Sequence, residues 1–179
     1  MRLIRKYLEP GAAVNWIQVS HRSDAVQYAV AGASKIYAAN VDQLGRDPLT
    51  AEMEATLRDW VVETILQGAY LREYHLWEKD CKAYFSTMAE RNGTKLNMKP
   101  RSGQSFLDRV IEILALFNVA EPAGMSGIED MRMKVNVMKH EDGLELDHFI
   151  TSSDYDDAIA TLEGFWRHIE SSEEVQYRR

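Results

Sequence analysis

Between Pro48 and Gly93 the chain contains no proline and a single glycine, Gly68, and its apolar residues recur at three- and four-residue spacing. Met53, Leu57, Trp60, Val61, Ile65, Ala69, Leu76, Tyr84, Phe85 and Met88 mark one side of this run. That period belongs to an α-helix and not to the strict alternation of a strand. Asp47-Pro48 supplies a start signal and Asn92-Gly93 a stop. A helix over about 50–91 would be roughly 60 Å long at ~1.5 Å per residue, longer than a small domain is wide. Gly68 is the place where it would kink or divide into two helices.

The other prolines, Pro10, Pro100 and Pro122, also sit among turn-forming residues, with helix-period segments between them. The first 18 or so residues are ambiguous between a short helix and an irregular lead-in. A helix is predicted over about 23–44, capped by Ser23 or Asp24 and ended by Gly45. Its apolar stripe contains Val26, Val30, Ala33, Ile36, Tyr37 and Val41, with Ala29, Gly32, Ala33 and Ser34 small enough for another helix to come close. Residues 94–103 form a polar, basic linker and the best candidate for a mobile loop. Further helices are predicted over about 105–118, 126–140 and 152–171, the last capped by Ser152-Ser153-Asp154, with 172–179 fraying. Helices joined by short turns pack as antiparallel neighbours. The predicted fold is therefore all-α, an antiparallel, up-and-down bundle of four to five helices in one domain spanning 1–179, with 1–19 and 172–179 as its peripheral segments.

A chain of 179 residues with 45% hydrophobic and 27% charged residues is long enough and apolar enough to bury a core. No apolar run approaches the roughly 18–20 residues that span a bilayer, so no membrane association is expected. The basic start, Met1-Arg-Leu-Ile-Arg-Lys, is not followed by an h-region or cleavage site, which argues against a signal peptide. The lone cysteine, Cys81, excludes an internal disulfide and a multi-cysteine zinc site, and suits a reducing cytoplasm. It sits among apolar neighbours at helix spacing and reads as a buried, inert thiol. A net charge of −7 confines any nucleic-acid contact to local basic clusters such as Arg91, Lys95, Lys99 and Arg101. The tryptophans Trp16, Trp60, Trp77 and Trp166 read as core or interface aromatics.

Several catalytic signatures are missing. Gly124, Gly127 and Gly143 do not have the spacing of a phosphate-cradling loop, and neither HExxH nor GxSxG occurs. The most suggestive chemistry is on the fourth predicted helix, where Arg132, Asn136 and His140 are four apart and share a polar stripe, opposed by the apolar Ile128, Met131, Val135 and Met138. His140 would lie in the last turn, where the helix dipole favours the imidazolium. An imidazole titrating near neutrality beside Arg132 or Lys134 is suited to phosphodiester cleavage, moving a proton while the cation neutralises the phosphoryl oxygens. On the long helix, Arg72, His75 and Glu78 form a secondary candidate cluster, with His75 orientable by Glu78 at i+3. His140, Asp142, Glu145, Asp147 and His148 place nitrogen and oxygen donors within nine residues, but Gly143 breaks their helical spacing and a second Glu-x-x-His is lacking. No metal or other cofactor is therefore assigned.

The stretch Val135-Asn-Val-Met-Lys-His-Glu-Asp-Gly143 resembles the motif helix of the HEPN superfamily, and Tyr70-Leu-Arg-Glu-Tyr-His-Leu-Trp-Glu-Lys-Asp80 resembles the helix that precedes it in those proteins. The resemblance covers roughly residues 20–172. It implies a small helical bundle of the toxin–antitoxin or defence type that forms a homodimer, often a metal-independent endoribonuclease with two motif copies at the dimer interface. His140 matches the family histidine and Asn136 its polar position. The family arginine has no clean counterpart: Arg132 is one residue too far from His140, and Lys134 has the spacing but lacks the planar fork that grips phosphate. Two expectations follow from the resemblance: an RNA-cleaving homodimer using His140, Lys134, Arg132 and Asn136, or a non-catalytic module on the same scaffold that dimerises and binds RNA, a nucleotide or an antitoxin-like partner protein. A metal-dependent bundle enzyme is the third alternative.

Overall fold

The computed structural model describes residues 12–44, 48–140 and 149–177; within these, the side chains of 12–14, 16, 40–44, 48, 140 and 173–177 lie outside the description. Among the described residues five helices follow one another: α1 (Ala12–Leu44), α2 (Pro48–Arg91), α3 (Phe106–Leu116), α4 (Met125–His140) and α5 (Ser152–Tyr177). No strand occurs among the described residues. The all-α bundle is as the periodicity predicts. No described helix is long and apolar enough to cross a membrane.

The ends of the helices follow local chemistry. At the start of α3, Ser105 and Asp108 form a reciprocal capping box. Behind α2, Gly93 takes φ 66°, Gly93 N–H donates to Glu90 (3.0 Å) and Thr94 N–H donates to Ala89 (2.9 Å). That is a Schellman closure, and the positive φ is why glycine stands there. Asn118 closes α3 in the same way at φ 55°, with Val119 N–H on the Leu114 carbonyl at 2.9 Å. α5 is capped one residue earlier than predicted: Thr151 and Asp154 exchange backbone and side-chain bonds, while Ser152 and Ser153 are already helical.

Other boundaries also move. α1 begins at Ala12, and Ser23 lies inside it, buried instead of capping, because Asn15 and Val19 upstream pack into the core and hold that turn helical. α2 runs through the exposed Gly68 without interruption, so it is one helix of about 66 Å. α5 continues past Ser171 to Tyr177, where fraying was predicted. Linker 94–103 is anchored: Met98 is buried, and the buried Arg109 guanidinium donates to the Asn97 carbonyl at 2.7 and 3.0 Å.

α1 packs along α2 and α5, α4 along α5 and α2, and α3 against α2. The core lies at the C-terminal half of α2. Trp77 meets Phe106 of α3 and Phe165 of α5 edge-on at 5.8 and 5.5 Å, and Tyr84 meets Trp166 at 5.6 Å. Such edge-to-face pairs add about 0.5–1.5 kcal/mol each beyond area burial. Cys81, beside them, is fully buried, and burial pushes its thiol well up. α4 and α5 approach closely at Gly127, where a Cβ would stand 2.8 Å from Thr161 Oγ1.

One ion pair is buried at the α1–α2 interface. Arg22 Nε donates to both Glu73 oxygens at 2.8 and 2.9 Å, with the side chains 13% and 3% exposed. Burial pushes the Glu73 carboxyl above its ordinary value although Arg22 pulls it down. Desolvation therefore outweighs pairing, as in many buried ion pairs.

The N-terminal half of α2 has no such core. From 24 to 39 on α1 and from 49 to 65 on α2, no described side chain is buried. The first turn of α5 meets Val26, Val30, Ala31 and Leu66 around a small cavity, which marks the level where α5 begins. Beyond it, α1 and α2 continue as a two-helix arm of about 25 Å. Ile36, Met53, Leu57 and Trp60, all on the predicted apolar stripes, are exposed here, as is Leu49.

Because Glu73 binds its proton more tightly in the folded chain, its unfavourable contribution grows as pH rises through its raised pKa. Arg22→Leu should lose about 3 kcal/mol at pH 7 by leaving that charge buried and unpaired. The deficit relative to wild type should shrink on acidification as Glu73 protonates, and Arg22→Leu/Glu73→Leu should recover most of it. Urea unfolding across pH checks all three.

Candidate functional site

Two residues apart on a helix means ~200° of rotation, so Arg132 and Lys134 leave α4 on opposite sides. Lys134 Nζ donates to Asp154 Oδ1 in the first turn of α5. Lys134, together with the Thr151 hydroxyl and backbone, pulls the Asp154 carboxyl down to about 2. Lys134 thus ties α4 to the capping box of α5, and its ammonium already has a full anionic partner.

Arg132 is held in the other direction. Its Nε and Nη2 donate to the two Glu129 oxygens at 2.7 and 2.5 Å, one turn back on the same helix. This two-point pairing lowers the Glu129 pKa and raises that of Arg132. The guanidinium borders a cleft of about 590 Å³ between the first turn of α3 and α4, where Ser105, Asp108, Glu121, Ser126 and Glu129 also line the wall. Three carboxylates against one guanidinium make the cleft net negative. An incoming phosphate would meet repulsion before it met a free fork.

Asn136, one turn beyond Arg132, is half-buried. α4 ends at His140, whose side chain lies outside the described residues, as does the whole 141–148 segment with Asp142, Glu145, Asp147 and His148. Among the described residues, no group of three or more His, Cys, Asp and Glu side chains is arranged to hold a metal ion.

The secondary candidates all lie on α2. His75 Nδ1 is 3.8 Å from a Glu78 oxygen, and Arg72 is exposed. The buried Tyr74 ring has its phenol pKa raised by burial first and then by Glu78, and it also feels Arg132 and Glu129 of α4. The fold therefore brings Glu78, Arg132 and Glu129 around one buried ring. The sequence did not mark Glu129 or Asp154 as a partner of the α4 cations; Asp154 was read only as part of a helix cap. Glu129 was legible as the i−3 partner of Arg132; Asp154, twenty residues from Lys134, was not, because the pairing requires α4 to lie beside α5.

Of the two cations, Lys134 joins two helices and Arg132 closes a pair within its own helix. Both cations of the motif are engaged by carboxylates of the same chain, one within α4 and one across to α5. No family model, curated protein or solved structure matches the chain.

A depressed carboxyl adds stability above its ordinary pKa and loses that contribution as pH falls through the depressed value. Lys134→Met should therefore lower stability by about 1 kcal/mol at pH 7, a figure discounted because Lys134 is partly exposed. The difference from wild type should disappear as pH falls toward 2. Denaturant unfolding at neutral and acid pH measures it.

Proposed function

We propose that this chain is a non-catalytic helical interaction module on a HEPN-like scaffold, and that the α1–α2 arm is the part that holds a partner protein. The observation that carries this reading is the arm's outward apolar surface: Leu49, Met53 and Trp60 are 64%, 59% and 61% exposed and lie close together on α2, with Tyr28 and Ile36 exposed on α1. Contiguous apolar area beyond a few hundred Å² is uncommon on a monomer and marks interaction surfaces. The engagement of Arg132 by Glu129 and of Lys134 by Asp154 supports the non-catalytic side of the proposal. A photo-crosslinking residue at position 53, in cells producing the full chain, should give discrete protein adducts that the same residue at the exposed position 167 does not. Equal or absent adducts at both positions contradict the module.

A metal-independent endoribonuclease is the second reading. It is favoured by Arg132 and Asn136 standing one turn apart on the helix that ends at His140, beside a cleft large enough for a nucleotide. It requires Arg132 to leave Glu129 when RNA arrives, and His140 to carry the proton. RNA cleavage in EDTA that falls at least about a hundredfold in His140→Ala would establish it; no cleavage by either protein is the outcome of the module reading.

A further inference from the structure

The exposed face of α2 is asymmetric in charge. Leu49, Met53, Leu57 and Trp60 follow each other at spacings of four, four and three, which puts them on one stripe. In helical projection, Glu52, Asp59 and Glu63 fall along one edge of that stripe, and Thr50, Val61 and Thr64 along the other, with Glu54 the single carboxylate on that second side. Asp59 is engaged by its neighbour Arg58 at 2.7 and 2.8 Å. Glu52 and Glu63 have no side-chain partner among the described residues. Nearer the C-terminus the same side of α2 carries Tyr74 and Glu78, which face α4. Among the described residues, the stripe is thus the uncovered continuation of a helix-packing face.

We infer that the occupant of this stripe is an amphipathic helix of a partner protein, with apolar residues at three- and four-residue spacing and lysine or arginine along one edge. An apolar seam bordered by carboxylates, three on one edge and one on the other, selects for a basic border on what lies against it. A helix of about fifteen residues covers the roughly 22 Å from 49 to 64. A second copy of this chain fits less well. An antiparallel two-fold pairing centred near Leu57 sets the same acidic edge on both sides of the seam, Glu52 opposite Glu63, and each chain already carries a net charge of −7. The inference rests on the arm being an interaction surface and adds the chemistry of its partner.

Two synthetic peptides of about eighteen residues test it. Both carry leucine at the required spacing; one has lysine along one edge and the other has glutamate there. Binding of each labelled peptide to the full chain is read by fluorescence anisotropy at low and high salt. The lysine-edged peptide should bind about fivefold to tenfold more tightly than the other at low salt, with the preference fading at high salt. Glu52→Lys/Glu63→Lys should reverse the order, and Trp60→Ser should weaken both peptides. These positions are exposed or partly exposed surface sites, so the variants should keep the wild-type unfolding midpoint. Equal binding of both peptides, or no reversal in the charge variant, overturns the basic-helix assignment. So does a concentration-dependent dimer in sedimentation that Trp60→Ser abolishes, which would make the occupant a second copy. Adducts at position 53 alongside peptide indifference would leave the module standing and remove only its basic partner; failure of both removes both.

Discussion

Trp77 stands where three helices need the same volume. Its ring is edge-on to Phe106 of α3 and Phe165 of α5, and Tyr74 on its own helix tilts against it at 5.8 Å. Because α2 is continuous, whatever fixes the helix at Trp77 fixes the direction of its other end as well. The aromatic cluster continues through Phe165, Trp166, Tyr84 and Phe85 to Phe117. It gives the C-terminal half of α2 a dense core, whereas from 49 to 65 no described side chain is buried. Close packing is local: a helix can be held rigidly by one half of its length while the other half remains surface.

That division explains how the sequence was legible and where it was not. Helix existence followed from period and punctuation, and the stops at Gly93 and Asn118 are local αL conformations that glycine and asparagine favour. The start of α1 was misplaced because Ser23 has the chemistry of a cap but is carried inside the helix by the burial of Val19 and Asn15, a tertiary fact. The same limit applies to Trp60 and Trp77. Both sit at helix spacing among apolar residues, yet one is 61% exposed and the other 1%. Periodicity identifies a face that is apolar; it does not say whether the same chain covers it.

The α4 stripe was legible as a pattern and only partly as chemistry. Spacing set Arg132 and Asn136 one turn apart, and both are on the one helix α4. It did not anticipate that Lys134 would be consumed by the α5 cap or that the cleft beside Arg132 would be lined by Asp108, Glu121 and Glu129. A cation is useful to a phosphate only while its donors are free, and freedom is decided by neighbours that arrive through folding. The resemblance of 135–143 to a nuclease motif concerns residue types, whereas the ion pairs concern their availability.

The account depends most on the claim that one continuous helix is half core and half uncovered surface. Native-state hydrogen exchange on the isolated chain tests that directly, because amides in a two-helix arm without buried side chains open locally while those beside an aromatic core open only with the whole fold. Amides of 49–64 should exchange orders of magnitude faster than those of 74–89 in the same helix. Uniform protection from 49 to 89 would contradict it, because the N-terminal half would then be as fully covered as the rest.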